Sequence, residues 1–211
     1  MTLIKVDFGK GEARSATPGK KASEKKIPRY QFHVALVFSD PLIWRRIEVP
    51  GQMTLEEFHT VLQLCMDWSG EHSHQFYVGK IFYSSVSATG MKGEYSEAEY
   101  DLQSLEEALK WCFTYMYDAG DGWELEITLE KTIDSISEWV CPLVLDGEWA
   151  APPEKTGSVH LYTEWLHAFE NPAKEKNKRL LEEAGLENFD PYHFDYESIN
   201  ARLKRHGWTK K

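Results

Sequence analysis

The order of strand-like and helix-like segments along these 211 residues predicts an α+β fold with a mainly antiparallel sheet. Residues 31–38 and 43–49 alternate apolar and polar side chains on either side of a turn, as the two strands of a hairpin do. A helix pattern follows directly, and the chain continues as a run of helix patterns from about residue 161. We therefore expect one sheet, a helix packed on it after the first hairpin, and a helical C-terminal portion.

The segment after the first hairpin has the clearest helix signals in the chain. Thr54 is followed three residues later by Glu57, and this spacing is that of a capping box. His59 lies beside the apolar side of the helix, so we expect it at the boundary between core and surface. That apolar side recurs at helical spacing and is formed by Leu55, Phe58, Val61, Leu62, Cys65 and Met66.

The middle of the chain predicts further strands. Residues 76–83 are expected to form two short strands around a glycine turn, and the polar residues 84–101 are expected to form a loop. Ser104 begins a second capping-box pattern and a short helix. Residues 113–118 and 123–130 then alternate in polarity around a glycine-rich turn, which predicts a long hairpin with one buried face and one acidic, solvated face.

The C-terminal part predicts helices. After a stretch at 134–161 that we expect to be irregular, helix patterns cover about 163–170 and 172–184. Gly185 stands where a C′ glycine ends a helix. A last helix is expected to begin near Asp195, so the chain changes from strands to helices along its length.

Length and composition suit one domain with short appendages. With 42% apolar residues, the chain has enough apolar surface for a core. No apolar run approaches the roughly 18 residues of a membrane span. Because the first residues also lack a long apolar segment, we expect no secretory signal. Three widely spaced cysteines suit a reducing compartment, so we expect a cytoplasmic protein. Because no apolar run is long enough to span a membrane, we expect no membrane partner. The folded domain is expected to cover residues 29–205, with a frayed tail at 206–211.

The net charge of −10 is unevenly distributed along the chain. Residues 9–30 contain seven Lys or Arg and two Glu, whereas the rest of the chain is strongly acidic. An acidic body repels phosphate backbones, which argues against a protein that binds duplex DNA. We expect residues 1–28 to be a disordered basic leader. The alternative is a segment that touches nucleic acid or an acidic surface through residues 10–29.

Two histidines and three carboxylates lie among aromatic residues in segments that are far apart in the chain. His72 and His74 are two residues apart, so in an extended segment both imidazoles point to one side and can reach one metal ion. Asp118 and Asp121 lie in a turn with two glycines, and Glu154 follows two stiffening prolines. If the three segments meet in the fold, these five residues form a cleft for a ligand or a metal ion.

Each of these residues also has an ordinary structural interpretation. The histidines suit a loop with one imidazole hydrogen-bonded and the other in solvent, the aspartates suit a turn that caps itself, and Glu154 suits a charged loop. If His72, His74 and Asp118 instead bind a metal ion, we expect that ion to be zinc or manganese. Buried aromatic residues more often belong to a core than to a site. The cleft is nevertheless expected to have aromatic walls, formed by Trp44, Tyr117 and Trp123.

Several strings of residues occur together in one order along the chain, namely Ile43-Trp44-Arg45-Arg46 within residues 41–50, the helix at 54–68, and residues 72–76, 115–124 and 147–154. Together they closely resemble the plasmid pRiA4b ORF-3-like family over roughly residues 28–205. The resemblance implies little about function, because the family is largely uncharacterised and some of its members lie on plasmids or mobile elements. Some members have a label suggesting a transposon resolvase, but nothing here matches the serine or tyrosine site of a recombinase.

The chain departs from the family pattern at two places that bear on a metal site. Ala151 stands where relatives typically have a cysteine before the two prolines. Leu125 stands where a histidine is common. If relatives hold a metal ion through those groups, this chain has lost ligands.

Three functions remain open from the sequence. The first, which we favour, is a non-enzymatic binding or interaction module with a protein or small-molecule ligand in the cleft. The second is a metal-assisted hydrolase or nuclease, in which the five polar residues share the roles of ligand and base. The third is a nucleic-acid accessory factor of a mobile element that acts through the basic leader. The sequence contains no phosphate-binding glycine loop, dinucleotide fingerprint or hydrolase serine elbow.

Overall fold

The computed structural model describes residues 27–85, 94–109, 112–135, 141–154 and 156–208. Residues 1–26 of the predicted basic leader and residues 209–211 of the predicted tail lie outside these ranges. The described part confirms the expected α+β fold, because it combines one large, mainly antiparallel sheet with five helices.

Eight strands of the described part form a single mixed sheet. In chain order they are β1 (Ile27–Leu36), β2 (Trp44–Pro50), β3 (His74–Val78), β4 (Ile81–Ser84), β5 (Glu94–Ser96), β6 (Cys112–Tyr117), β7 (Trp123–Ser135) and β8 (Leu143–Glu148). Their order across the sheet is β5-β4-β3-β6-β7-β1-β2-β8, and each neighbouring pair is antiparallel except β4 with β5. β6 and β7 form the predicted long hairpin near the middle of the sheet.

The helices divide into one that follows the first hairpin and a C-terminal group. They are α1 (Leu55–Met66), α2 (Glu106–Leu109), α3 (Val159–Phe169), α4 (Glu175–Glu183) and α5 (Tyr196–Arg205), with a short 3-10 helix at Glu97–Glu99. α3 contacts α4, and α5 contacts both α1 and β8, which ties the C-terminal group to the sheet. Within the described ranges, no helix combines the length and the apolar character that crossing a membrane requires.

α1 packs on one face of the sheet through its predicted apolar side. The hydroxyl of Thr54 accepts the amide of Glu57 at 3.2 Å, and the carboxylate of Glu57 accepts the amide of Thr54 at 2.9 Å, which completes the predicted capping box. Phe58 lies against the rings of Phe32 and Phe76, with centroid distances of 5.5 and 6.0 Å. Burying a side chain of this size contributes about 1.5–3 kcal/mol, so these contacts fix the helix to the sheet.

Two stretches that we expected to be irregular contain strands. Part of the predicted loop at 84–101 forms β5, which pairs with β4, and the 3-10 helix; residues 86–93 lie outside the described ranges. Within 134–161, β7 extends to Ser135 and β8 pairs with β2. β5 and β8 are the two edges of the sheet, where pairing with a neighbour that is distant in the chain decides the strand more than a local pattern does.

The helix ends agree with the sequence in part. α3 begins at Val159, earlier than predicted, because the hydroxyl of Ser158 accepts a backbone amide of the first turn at 3.2 Å. Thr163, near the predicted start, lies inside the helix, and its hydroxyl donates to the carbonyl of Val159 at 2.9 Å. Gly185 follows α4 with a φ of +69°, and Asp195 caps α5, both as predicted.

The face of the sheet opposite α1 exposes large apolar side chains. Tyr77 and Met116 are 37% and 36% exposed, and Phe82 is 39% exposed. The rings of Tyr77 and Phe82 lie 4.6 Å apart, centroid to centroid. We use the name outer face for the side chains of β3, β4, β6 and β7 that point away from α1, namely Gln75, Tyr77, Phe82, Thr114, Met116, Glu124 and Glu126.

Candidate functional site

The turn between β6 and β7, which we call the hairpin tip, is held together by its own backbone and by Asp118. The amide of Asp118 donates to the carbonyl of Ser73 at 2.9 Å, and the amide of Gly122 donates to the carbonyl of Asp118 at 2.6 Å. The Oδ1 atom of Asp118 accepts the amide of Gly120 at 2.9 Å. Gly122 has a φ of +70°, a conformation that glycine adopts without steric cost. One oxygen of Asp118 is therefore used to close the turn.

The three segments that we expected to meet are in contact at the hairpin tip. The Oε1 atom of Glu154 accepts hydrogen bonds from the hydroxyl of Tyr117 at 2.6 Å and from the amide and hydroxyl of Ser69 at 2.9 and 3.0 Å. The indole of Trp68 donates to the carbonyl of Pro152 at 3.0 Å. These bonds join the tip to the segment before β3 and to the loop after β8.

His72 and Asp121 make longer contacts at the same tip. The Nδ1 atom of His72 lies 3.7 Å from Oδ2 of Asp118, and the His72 side chain is 40% exposed. The carboxylate of Asp121 accepts the amide of Gly157 at 3.3 Å. Each of the two aspartates of the turn therefore has a protein partner.

The hydrogen bonds to Glu154 favour its charged form. Partial burial alone would raise the pKa of Glu154, but the bonds from Tyr117 and Ser69 and the nearby His72 outweigh burial and leave this pKa below its ordinary value. The pKa of Tyr117 is raised, first by burial and then by its bond to Glu154. At neutral pH the pair is therefore a carboxylate that accepts from a neutral phenol.

His74 does not share a site with His72. Its Nε2 atom lies 3.0 and 2.9 Å from the two carboxylate oxygens of Glu97, whose side chain is only 4% exposed. β3 begins at His74, so His72 precedes the strand and the alternation of an extended segment does not bring the two imidazoles together. Among the residues that the structure describes, no group of three or more His, Cys, Asp or Glu side chains is arranged to hold a metal ion.

His59 extends the pair of His74 and Glu97 into a larger network. The ring of His59 stacks on His74 with 3.6 Å between centroids. Its Nδ1 atom lies 2.7 Å from the hydroxyl of Tyr115, which also accepts the side-chain amide of Gln63 at 2.7 Å. Burial and the neighbouring His74 lower the pKa of His59 to about 3, so the ring is neutral at neutral pH and suits the role of acceptor for the Tyr115 hydroxyl.

Two of the three aromatic residues expected in the cleft walls lie at the hairpin tip. Tyr117 and Trp123 are each 1% exposed, and their rings stack with Trp68 at centroid distances of 5.1 and 6.0 Å. Trp44 instead lies on the opposite side of the sheet, where its ring stacks on His33 at 5.2 Å. Side chains alternate along a strand, and the buried residues Ile43 and Arg45 flank Trp44 on the core side, so Trp44 points away from the core.

A cavity of about 440 Å³ opens beside the hairpin tip, and we call it the tip cavity. The register of the sheet places Met116 directly between Gln75 of β3 and Glu124 of β7, and all three of these outer-face residues line the cavity. Sequence patterns do not distinguish these three residues, because their proximity depends on how three strands are aligned. The lining also includes four residues predicted for the cleft, namely His74, Tyr117, Asp118 and Trp123.

The fold and the site define an α+β protein with a single sheet, one helix-covered face and an open face beside a small cavity. The chain belongs to the plasmid pRiA4b ORF-3-like protein family, whose model matches residues 28–198 and confirms the resemblance.

Two relatives agree with this family and fold. The uncharacterized protein y4hQ of Sinorhizobium fredii (strain NBRC 101917 / NGR234) is 29% identical over 171 residues, which cover 81% of this chain and 88% of the relative. The crystal structure of MM3350, a protein of unknown function from Methanosarcina mazei Go1, matches with a TM-score of 0.71 at 27% identity. That match covers 83% of this chain and 98% of the other. The names of both relatives state no activity.

Proposed function

We propose that this protein is a non-enzymatic interaction module whose tip cavity and outer face bind a basic, partly apolar segment of a protein partner. The proposal depends mainly on the row Gln75, Met116 and Glu124, in which an exposed apolar side chain stands between polar ones at the cavity. The volume of about 440 Å³ lies within the range of ligand pockets, roughly 300–1,000 Å³.

The charge of the outer face favours a cationic ligand. In the part of the chain that the structure describes, neither Glu124 nor Glu126 forms an ion pair. Glu130, further along β7, is different, because a hydrogen-bonded ion pair with Arg46 at 2.7 Å lowers the pKa of Glu130 to about 2. Among the described residues that line the tip cavity, Asp118 and Glu124 are acidic and none is a lysine or arginine. A lysine or arginine of a partner would compensate this charge.

The apolar side chains of the outer face favour a ligand that also has apolar groups. Tyr77 and Phe82 form an exposed pair of rings on β3 and β4, and Met116 is exposed on the neighbouring strand β6. Exposed apolar side chains that lie together mark interaction sites more often than single ones do. A segment that alternates basic and apolar side chains would therefore match both properties of the face.

The two other functions have less support from the described residues. A metal-assisted hydrolase or nuclease needs convergent ligands and a free base, whereas His72 and His74 contact different carboxylates and Glu154 accepts three hydrogen bonds. A nucleic-acid accessory role would depend on residues 10–29, which lie almost entirely outside the described ranges. The unpaired carboxylates of the outer face would repel a phosphate backbone.

Methyl NMR of labelled methionine tests the proposal. Among the five methionines, Met116 lines the tip cavity and Met53 is fully buried in the core. With a short peptide that alternates lysine and leucine, we expect the methyl signal of Met116 to shift saturably and that of Met53 to stay in place. A matched peptide of glutamate and leucine should shift neither signal. Equal shifts of Met116 with both peptides, or none with either, would contradict the proposal.

A further inference from the structure

A second cavity, also of about 440 Å³, lies between the end of α1, the loop after β8 and the start of α5. We call it the arginine cavity, because the side chains of Arg45 and Arg202 are part of its lining. Met66 and Phe194 are among its apolar lining residues. Among the described residues, none lines both cavities, so an inference about this one is independent of the proposed function.

Arg45 places a positive charge in this cavity. Among the described residues this charge has no anionic partner. The residue is 2% exposed. Burial lowers the pKa of Arg45 to about 10, so the guanidinium stays protonated at neutral pH. Its hydrogen bonds go to four backbone carbonyls, those of Cys65, Trp44, Glu148 and Trp149. Carbonyl dipoles offset only part of the cost of burying a charge, and a bound anion would offset more.

Arg202 provides a second guanidinium that is incompletely paired. One of its terminal nitrogens pairs with the carboxylate of Asp67, and the other donates to the carbonyl of Leu64 at 3.2 Å. Its Nε atom is buried and has no hydrogen-bond partner within the described structure. Leaving a buried donor unpaired is unfavourable, so an acceptor that reaches this atom is favoured.

We propose that the arginine cavity binds a small monocarboxylate, with its carboxylate near Arg45 and Arg202 and its apolar chain against Met66 and Phe194. Arg45 has five N–H donors and makes four hydrogen bonds, so one donor remains for a carboxylate oxygen, and Arg202 provides further donors beside it. The ring of Phe194 lies 4.4 Å from the guanidinium carbon of Arg45, which places an apolar surface next to the charged end. An apolar wall beside two cationic groups suits a ligand with one charged and one apolar end.

Carboxylates in the lining of the arginine cavity favour a ligand with a single negative charge. Asp190 and Asp195 are exposed residues of the lining. A ligand with a second negative charge, such as inorganic phosphate at neutral pH, meets electrostatic repulsion from these carboxylates. A monocarboxylate has no second charge for these carboxylates to repel, so its apolar chain can lie against Met66 and Phe194.

The labelled methionines also test this inference, because Met66 lines the arginine cavity. We expect isocaproate, a branched monocarboxylate, to shift the Met66 methyl signal with a dissociation constant of about 1 mM. Its neutral amide and inorganic phosphate should cause no shift. Met116 should not respond to isocaproate, so the outcome is separate from that of the peptide experiment. An equal Met66 shift with the amide or with phosphate, or no shift with isocaproate well above a millimolar, overturns the inference.

Substitutions that remove a charge near the cavity should change the affinity for isocaproate in opposite directions. Arg202→Gln should weaken isocaproate binding about tenfold, because it removes a guanidinium that contacts the carboxylate. Arg205→Gln removes an exposed guanidinium from the same helix, one that bonds to the carbonyl of Ala201, and should leave binding unchanged. Asp67→Asn removes the competing partner of Arg202 and should strengthen binding several-fold. Equal losses in both arginine variants, or weaker binding in Asp67→Asn, would contradict the proposal, since a misfolded protein cannot bind more tightly.

Discussion

The imidazole rings of His59 and His74 are stacked with 3.6 Å between their centroids and an angle of 9° between their planes. Only one of the two has a carboxylate partner, because His74 lies against Glu97 and His59 lies against the hydroxyl of Tyr115. Burial disfavours a charge on His59 and lowers its pKa, and the neighbouring His74 lowers this pKa further. The network therefore holds His59 in its neutral form.

The burial of His59 beside His74 predicts that acid destabilises the fold, because the ring resists protonation in the folded chain. The pKa of His59 is about 3 in the folded chain and about 6.5 in the unfolded chain. As the pH falls below about 6.5, the unfolded chain binds a proton that the folded chain does not, so the free energy of unfolding decreases. Above that pH the residue is neutral in both states and makes no contribution. We expect urea titrations at a series of pH values to show a free energy of unfolding that declines less steeply with falling pH in His59→Gln than in the unsubstituted protein. The difference in slope should reach up to about 1.4 kcal/mol per pH unit.

A second histidine provides the control for this experiment. His167 is exposed on α3, and His167→Gln should reproduce the pH dependence of the unsubstituted protein. If the stability of His59→Gln falls with pH in parallel to that of the unsubstituted protein, protonation of His59 does not contribute.

The bond between Tyr117 and Glu154 predicts a stability effect at the hairpin tip. Tyr117→Phe removes a donor to Glu154 and also the acceptor of the Gly70 amide, which lies 3.1 Å from the hydroxyl. We expect the free energy of unfolding in urea to fall by about 1–3 kcal/mol. Tyr192→Phe is the matched control, because Tyr192 is 60% exposed; it should change stability by less than about 0.5 kcal/mol. Similar values for the two variants would show that the buried bond is unimportant.

The separation of His72 from His74 predicts that zinc and manganese do not stabilise the fold. His72 lies near Asp118 and His74 near Glu97, so neither imidazole is placed to share an ion with the other. The melting temperature should be the same with and without an equivalent of either metal. A rise in the melting temperature with zinc that disappears in His72→Gln would contradict this prediction and support the metal site expected from the sequence.

The elements with strong local signals were predictable from the sequence, and the edges of the sheet were not. The capping box of Thr54 and Glu57 involves residues of one helical turn, so both partners are visible in a short window. The contact between His74 and Glu97 depends on a turn next to β5, whose pairing with β4 is set by the tertiary fold. Glu97 could therefore not be recognised as the partner of His74.

The environment of Arg45 shows a different limit of sequence reasoning. Arg45 is almost fully buried, although arginine side chains are mostly exposed in proteins. Its partners are backbone carbonyls, and every residue has a carbonyl, so no residue type reveals them. Asp118 and Tyr117, which we expected in a cleft, are among the residues that line the tip cavity, whereas His72, Asp121 and Glu154 are not. Met116 joins this lining only through the register of three strands.

The most direct test of the interaction module is the affinity of the lysine–leucine peptide for charge variants of the outer face, measured by calorimetry at two salt concentrations. In Glu124→Gln/Glu126→Gln, the loss of two unpaired carboxylates should weaken binding about tenfold and reduce its salt dependence. Glu183→Gln/Glu187→Gln removes two exposed carboxylates from the helical portion and should bind like the unsubstituted protein. Equal affinities for both double variants would contradict the assignment of the outer face as the binding surface.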